Sequence, residues 1–263
     1  MTAAASALAP AKVNLTLHVT GRRPADGMHL LDSVVAFADL GDEVRVGPGD
    51  GLAVTGPFAP GVPTDGRNLA LRALALVGER RAVTIHKRLP HPGGIGGGSS
   101  DAATVLRLVG AAPAPEALMS LGADLPVCMA ARASRMRGVG EAVTSLVLPA
   151  LAAVLVHPGL DLPTGDVFRA LRRTDNPGHG EVPPAVTLEW LAAQRNDLEP
   201  AALRLAPPLG DVLAGIRATG AAVARMSGSG ATCFGLYPGG AEARRAAAAL
   251  RRPGWWVQAC TLR

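Results

Sequence analysis

Residues 90–101 read "PHPGGIGGGSSD" and run directly into "AATVLRLV", an apolar stretch with helical spacing. Glycine in an ordered segment costs conformational entropy, so a run this dense marks either a flexible linker or a place where something must approach the main chain closely. A position at the mouth of a helix argues against a linker. Consecutive N–H groups at a helix N-terminus, together with its partial positive charge, can cradle phosphate oxygens, and neighbouring serine hydroxyls add donors. The two best-known phosphate signatures fail on spacing. A Gly-x-Gly-x-x-Gly pattern begun at Gly94 or Gly96 arrives at Ser99 or Asp101, and a Walker A loop needs a Gly-Lys pair that neither lysine supplies. The alternative is a tight strand-to-helix connection, which needs one or two glycines for positive φ and not the five present here.

Of the 26 basic residues, only Lys12 and Lys87 are lysines. Where arginine has replaced lysine almost everywhere, the two survivors are candidates for work that needs a compact ammonium with movable donors, at a phosphate or beside a carboxylate. Chance survival is the competing reading for each. Phosphoryl transfer also wants a group to accept the proton of a hydroxyl nucleophile and positive charge near the transferring group. Lys12, opening "KVNLTLHVT" beside Asn14, and Asp124 in "GADLP" are the economical pair, with turn capping as the other role open to Asp124. Spacing alone does not bring them together. A second small-residue cluster, "MSGSGATCFGLY" at 226–237, lies in the other half of the chain, and the two loops together point to a cleft between lobes.

The elements that must position these residues follow from periodicity. Alternation of Val13, Leu15, Leu17 and Val19 with Asn14, Thr16 and His18 predicts a half-buried strand over 12–20, followed by a turn at "GRRPADG". "LLDSVVAFADLGDEVRV" predicts two more strands, "RNLALRALALVGERR" a helix, and "AVTIHKRL" a strand. The glycine loop therefore joins a strand to a helix, with Ser99, Ser100 or Asp101 as candidate N-cap. A strand over 150–157 opens the second half, where helices and strands alternate, and "TDNPGHGEVPP" at 174–184 reads as a long surface loop. The domain boundary is expected near residue 150.

Composition bounds the rest. With 263 residues, 48% hydrophobic and 18% charged, the chain can build a real core, made mainly of Ala, Val and Leu because aromatics are 3%. The net charge of +5 is spread from Arg22 to Arg263 and forms no single basic stripe, which argues against nucleic acid. Cys128, Cys233 and Cys260 are odd in number and widely spaced, indicating neither a disulfide framework nor a zinc site. His18, His86, His91, His157 and His179 have no metal-ligand spacing, so no protein-built metal site is expected. The opening "MTAAASALAPAKVNL" lacks the pattern of a signal peptide, and a soluble cytoplasmic protein is expected.

"APAKVNLTLHVTGRRPADGMHLLDSVV", "PGGIGGGSSDAA", "LGADLP" and "MSGSGATCFG", in that order and with "HPGLDLPTGDVF" and "RNDLEP", resemble the GHMP kinase superfamily over nearly the whole chain. The resemblance implies an α+β, two-lobed fold. Residues 1–149 would be the ATP-binding lobe and 150–263 a ferredoxin-like substrate lobe, with the active site between them. It further implies ATP-dependent phosphorylation of the 2-hydroxyl of a cytidylyl methylerythritol, a step of non-mevalonate isoprenoid synthesis. On this chain Asp124 would then be the base, and Lys12 would hold Asp124 and the hydroxyl in position. Asn14 would orient the substrate, and Asn68 would lie near the nucleotide. Pro90, His91, Pro92, Gly93, Gly94, Ile95, Gly96, Gly97, Gly98, Ser99 and Ser100 would bind ATP phosphates. His29 would hydrogen-bond the cytosine, with Phe168 stacking on it and Thr164 nearby. Mg²⁺ would arrive with ATP. The implied partners are the small-molecule substrate and ATP, with no nucleic acid and no membrane, for a chain acting as a monomer or weak homodimer.

Two departures from the superfamily branch stand out. Met28 occupies the position of a tyrosine that would face Phe168 across the cytosine, and a thioether contact is softer and less directional. The segment between the glycine-loop helix and "LGADLP" is also shorter by about ten residues, beyond ordinary loop drift, which predicts a trimmed helix. Without the resemblance, His29 reads as a turn or core histidine and Phe168 as core. Two other functions compete: a kinase for another alcohol, such as homoserine, mevalonate or a sugar, and a non-catalytic nucleotide- or nucleic-acid-binding protein.

Overall fold

The structure, a computed structural model, describes residues 4–263. The first half of the chain runs β1 (Ala5–Asn14), β2 (His18–Arg22), β3 (His29–Gly47), β4 (Gly51–Thr55), α1 (Leu69–Leu76), β5 (Ala82–His86), α2 (Gly97–Leu108), α3 (Pro115–Met119), α4 (Leu125–Ala130), β6 (Ser134–Gly138) and β7 (Ala142–Ser145). The second runs β8 (Leu151–His157), α5 (Thr164–Arg169), α6 (Leu188–Ala192), α7 (Glu199–Leu205), α8 (Pro208–Ala218), β9 (Val223–Met226), β10 (Cys233–Tyr237), α9 (Gly240–Leu250) and β11 (Trp256–Leu262). Among the described residues no helix is long and apolar enough to cross a membrane.

Contacts divide the chain into two compact units that are interleaved in sequence. One comprises the described residues through Lys12 with Leu40–His91 and Gly96–Ala131; the other comprises Val13–Asp39, Pro92–Ile95 and Arg132–Arg263.

In the first unit the later half of β3 pairs antiparallel with β5, from Glu43 opposite His86 to Gly47 opposite Ala82, and β4 adds in parallel to the far edge of β5. Alternation puts Val44, Val46, Val83 and Ile85 on one face, where Ala70 and Leu74 of α1 and Val105 of α2 cover them. The two strands expected over residues 30–46 are one strand of 19 residues, His29–Gly47. The Gly41-Asp42 pair does not end it. A Cβ at Gly41 would stand 2.0 Å from the Ala9 carbonyl oxygen, so the glycine serves close strand approach and not a turn.

In the second unit β8 is flanked by β11 and β10, both antiparallel to it, and β9 extends the sheet beyond β10. Leu209, Val212, Leu213 and Ile216 of α8 and Ala243, Ala246, Ala247 and Leu250 of α9 join Val154 and Val156 in its core, which is aliphatic as the composition requires. The early half of β3 pairs with β2 and β6, and β6 with β7.

The single half-buried strand expected over 12–20 is instead two strands, broken at residues 15–17, and its polar positions are not solvent-facing. Asn14, Thr16 and His18 are all buried. Each has tertiary work: Asn14 donates to Ser33 Oγ, Thr16 Oγ1 accepts from the Val34 N–H, and His18 stacks on His179. The 174–184 loop is likewise not wholly a surface feature. Asn176 bonds the Val19 carbonyl, and the His179 side chain is fully buried. Between α2 and α4 only the five-residue α3 is present.

Candidate active site

Lys12, near the end of β1, and Asp124, the residue before α4, form an ion pair with 3.0 Å between Nζ and Oδ2. A buried ammonium needs a partner, and Lys12 is 5% exposed. Asp124 is 30% exposed and its side chain makes no capping hydrogen bond, so of the two roles open to it in the sequence the ion pair is the one it fills. A carboxylate that solvent can reach beside a compact cation can take a proton from a hydroxyl while the ammonium steadies the oxygen that loses it.

Gly96 brings the glycine loop onto this pair. It caps α2 with φ +64°, a left-handed conformation that L side chains rarely adopt, and a Cβ there would lie 3.0 Å from Lys12 Cε and 3.7 Å from Asp124 Oδ2. The helix begins at Gly97 with Gly96 as its N-cap, three to five residues before the serines or aspartate expected there; Ser100 and Asp101 spend their side chains elsewhere. Ser100 Oγ donates to the Pro10 carbonyl at 2.7 Å, and Asp101 pairs with Lys87. The N–H groups of the first turn have no acceptor within the helix. Pro90, Gly93, Ile95 and Ser100 are buried, His91 and Pro92 exposed, and Gly94, Gly97, Gly98 and Ser99 half-buried. Asn68 caps α1: its Oδ1 accepts from the Ala70 N–H and its Nδ2 donates to the Pro63 carbonyl, so its amide serves the helix start.

The carbonyls of residues 92–94 are held by groups that sequence reasoning did not single out. Thr232 donates to the Gly93 oxygen through both N–H and hydroxyl, and Ser227 Oγ donates to the Gly94 oxygen at 3.1 Å. His157 Nδ1 accepts from the Gly159 N–H, which makes Nε2 the donor to the Pro92 oxygen at 3.2 Å. Burial lowers the pKa of this histidine, in keeping with a neutral ring. Thr232 and Ser227 belong to the "MSGSGATCFG" cluster, which was the available signal.

In the second unit the Asn14 N–H donates to Ser227 Oγ at 3.0 Å, and Asn14 Nδ2 to Ser33 Oγ at 2.8 Å. The rings of His29 and Phe168 are in contact, centroids 4.8 Å apart and tilted by 31°. His29 Nε2 is buried without a hydrogen-bond partner, and burial, then the Arg22 charge, lower its pKa. Met28, beside it, is 44% exposed. Thr164 opens α5 and shares a 2.8 Å hydrogen bond with Ser229 Oγ. The structure thus joins Lys12, Asp124 and Gly96 in one group and His29 with Phe168 in another.

A further buried cluster escapes sequence reasoning entirely. Asp32 takes a two-pronged hydrogen bond from Arg135 and lies 3.0 Å from His179 Nδ1; although burial alone would raise its pKa, these partners depress it strongly. His18 stacks on the same His179, and burial, then that neighbouring ring, bring its pKa down to about 4. The four members of the cluster come from β2, β3, β6 and the 174–184 loop, so no local motif marks it.

Known proteins resemble this chain along most of its length. The family described as GHMP kinases C terminal matches residues 184–254. A 4-diphosphocytidyl-2-C-methyl-D-erythritol kinase of Paracoccus denitrificans is 54% identical, covering 97% of this chain and 95% of its own. The namesake from Dinoroseobacter shibae is 53% identical, covering 97% and 94%. A crystal structure of 4-(cytidine 5'-diphospho)-2C-methyl-D-erythritol kinase, 40% identical, superposes with a TM-score of 0.79 over 98% of this chain and 99% of that one. An L. major mevalonate kinase structure, at 15% identity and a TM-score of 0.66 over 100% and 98% of the two chains, shares the fold. The chain belongs to the 4-diphosphocytidyl-2-C-methyl-D-erythritol kinase family, within the GHMP kinases.

Proposed function

We propose that this chain transfers the γ-phosphoryl group of ATP to the 2-hydroxyl of 4-diphosphocytidyl-2-C-methyl-D-erythritol. The observation that carries the proposal is the Lys12–Asp124 pair lying against Gly96, which sets a proton acceptor and a cation beside the glycine loop where α2 begins. Asp124 takes the hydroxyl proton and the substrate oxygen forms its bond to the γ-phosphorus. The bond from that phosphorus to the β,γ-bridging oxygen breaks, and ADP leaves. Lys12 holds the carboxylate and the reacting oxygen in register. The first-turn N–H groups of α2 and the backbone of residues 93–98 bind phosphate oxygens.

Mg²⁺ comes with the nucleotide and neutralises phosphate charge. An ion that arrives with the nucleotide is held chiefly by phosphate oxygens and water. His29 and Phe168 recognise the cytosine, with Asn14 and Thr164 orienting the substrate. Met28 provides a soft apolar contact where an aromatic face is expected. Residues 1–149 carry nucleotide binding and 150–263 the second GHMP region, in a protein of the cytoplasm.

The test is an ADP-release assay with ATP, Mg²⁺ and the cytidylyl compound, run beside homoserine and mevalonate. Release with the cytidylyl compound alone is expected. Release only with another alcohol would leave the loop assignment standing and overturn the substrate.

A further inference from the structure

The second lysine of the chain is more deeply enclosed than the first. Lys87 Nζ is hydrogen-bonded to Asp42 Oδ2 and lies 2.8 Å from Asp101 Oδ2, with side-chain exposures of 3% for the lysine, 0% for Asp42 and 5% for Asp101. Asp42 Oδ1 meanwhile accepts from the N–H groups of Arg88 and Leu89. The glycine loop is bracketed by these residues. Its approach, 87–89, is fixed on Asp42, and its far end, in the first turns of α2, is fixed through Asp101 on the same ammonium. A Cβ at Gly97, the first residue of α2, would lie 3.4 Å from Lys87 Nζ. The chain's two lysines therefore lie under consecutive glycines, Lys12 against Gly96 and Lys87 against Gly97.

Three charges buried together cost more to desolvate than apolar side chains of the same volume, so stability is a poor reason for the arrangement and fixed geometry a better one. We propose that Lys87, clamped between Asp42 and Asp101, is a positioning residue that sets the glycine loop and the N-terminus of α2 in the geometry that receives ATP phosphates. This rests on the phosphate-binding role proposed for the loop. Lys87 is too enclosed to touch the nucleotide and acts through the backbone it holds.

The groups facing the clamp are few. Asp42 comes from β3 and Asp101 from α2. Glu43 and Arg88 pair with each other in solvent, and Arg72 of α1 is exposed. Two carboxylates share one cation, and Asp101 Oδ1 has no hydrogen-bond partner. Burial, opposed by Lys87 and reinforced by Asp42, raises the Asp101 pKa to about 7.

The test compares binding of MgATP with binding of adenosine, by calorimetry, in the wild-type protein, in Lys87→Met and in the triple variant Lys87→Met/Asp42→Asn/Asp101→Asn. The triple variant leaves no unpaired buried charge, so it folds even where the single variant does not. Both folded variants are expected to lose at least tenfold in MgATP affinity while adenosine binding stays within threefold, a loss confined to the phosphates that general destabilisation would not produce. If the wild-type protein binds MgATP no more tightly than adenosine, the phosphate role of the loop fails and the clamp with it. A wild-type preference for MgATP that survives in the folded triple variant overturns the clamp alone.

Discussion

Lys12 and Lys87 both lie against the glycines that begin α2, each buried and ion-paired, yet they differ in one respect. The partner of Lys12 is 30% exposed, whereas those of Lys87 are 0% and 5% exposed. An exposed carboxylate can exchange a proton with a ligand; an enclosed one can only hold structure. The difference teaches that the same ion pair is chemistry or scaffolding according to whether its acid can be reached, and that residue type alone does not tell which.

The comparison can be broken most forcefully at its open end. Asp124→Asn is expected to lower kcat by about a thousandfold, within the range for removing a general base, with the MgATP Kd within twofold of wild type. Lys12→Arg comes next. A planar fork does not fit in a space so tight that a Cβ at Gly96 would stand 3.0 Å from Lys12 Cε, and a fall of about a hundredfold in kcat/KM is expected from steady-state kinetics. Gly96→Ala sharpens the comparison, because it forces a side chain into a left-handed position above the Lys12–Asp124 pair. About tenfold in kcat/KM is expected from a backbone cost of roughly 1–2 kcal/mol.

At the enclosed end the expectation concerns pH. The folded-state pKa of Asp101 lies above its unfolded value, so the folded protein binds the extra proton and stability falls as pH rises from about 4 towards 7. Denaturant titrations at several pH values are expected to show that decline in the wild-type protein and a flatter profile in Asp101→Asn. The smallest effect is at the base-recognition residues: Met28→Tyr is expected to lower the KM for the cytidylyl substrate about fivefold, the worth of one aromatic stacking contact of roughly 1 kcal/mol.

The open pair is largely legible in the amino-acid sequence. Scarcity of lysine points to Lys12, the glycine run to residues 93–98, and the "GADLP" turn to Asp124, while the resemblance ties them to one superfamily. Lysine scarcity marks Lys87 as well, but its partner Asp42 lies 45 residues earlier on another strand, and no local pattern links them. Polar residues alternating along 12–20 look solvent-facing because periodicity reports side-chain facing and not what covers a face. Here Ser33, Val34 and His179 cover it. Gly41 looks like a strand end for a related reason: a glycine that admits a neighbouring strand and one that makes a turn are the same letter.

The most direct measurement is kcat of Asp124→Asn at saturating MgATP and cytidylyl substrate, taken with its MgATP Kd. A loss of about a thousandfold with an unchanged Kd is the predicted result, since a reachable base is missing from an intact nucleotide site. Turnover near the wild-type rate would contradict the assignment of chemistry to the open pair.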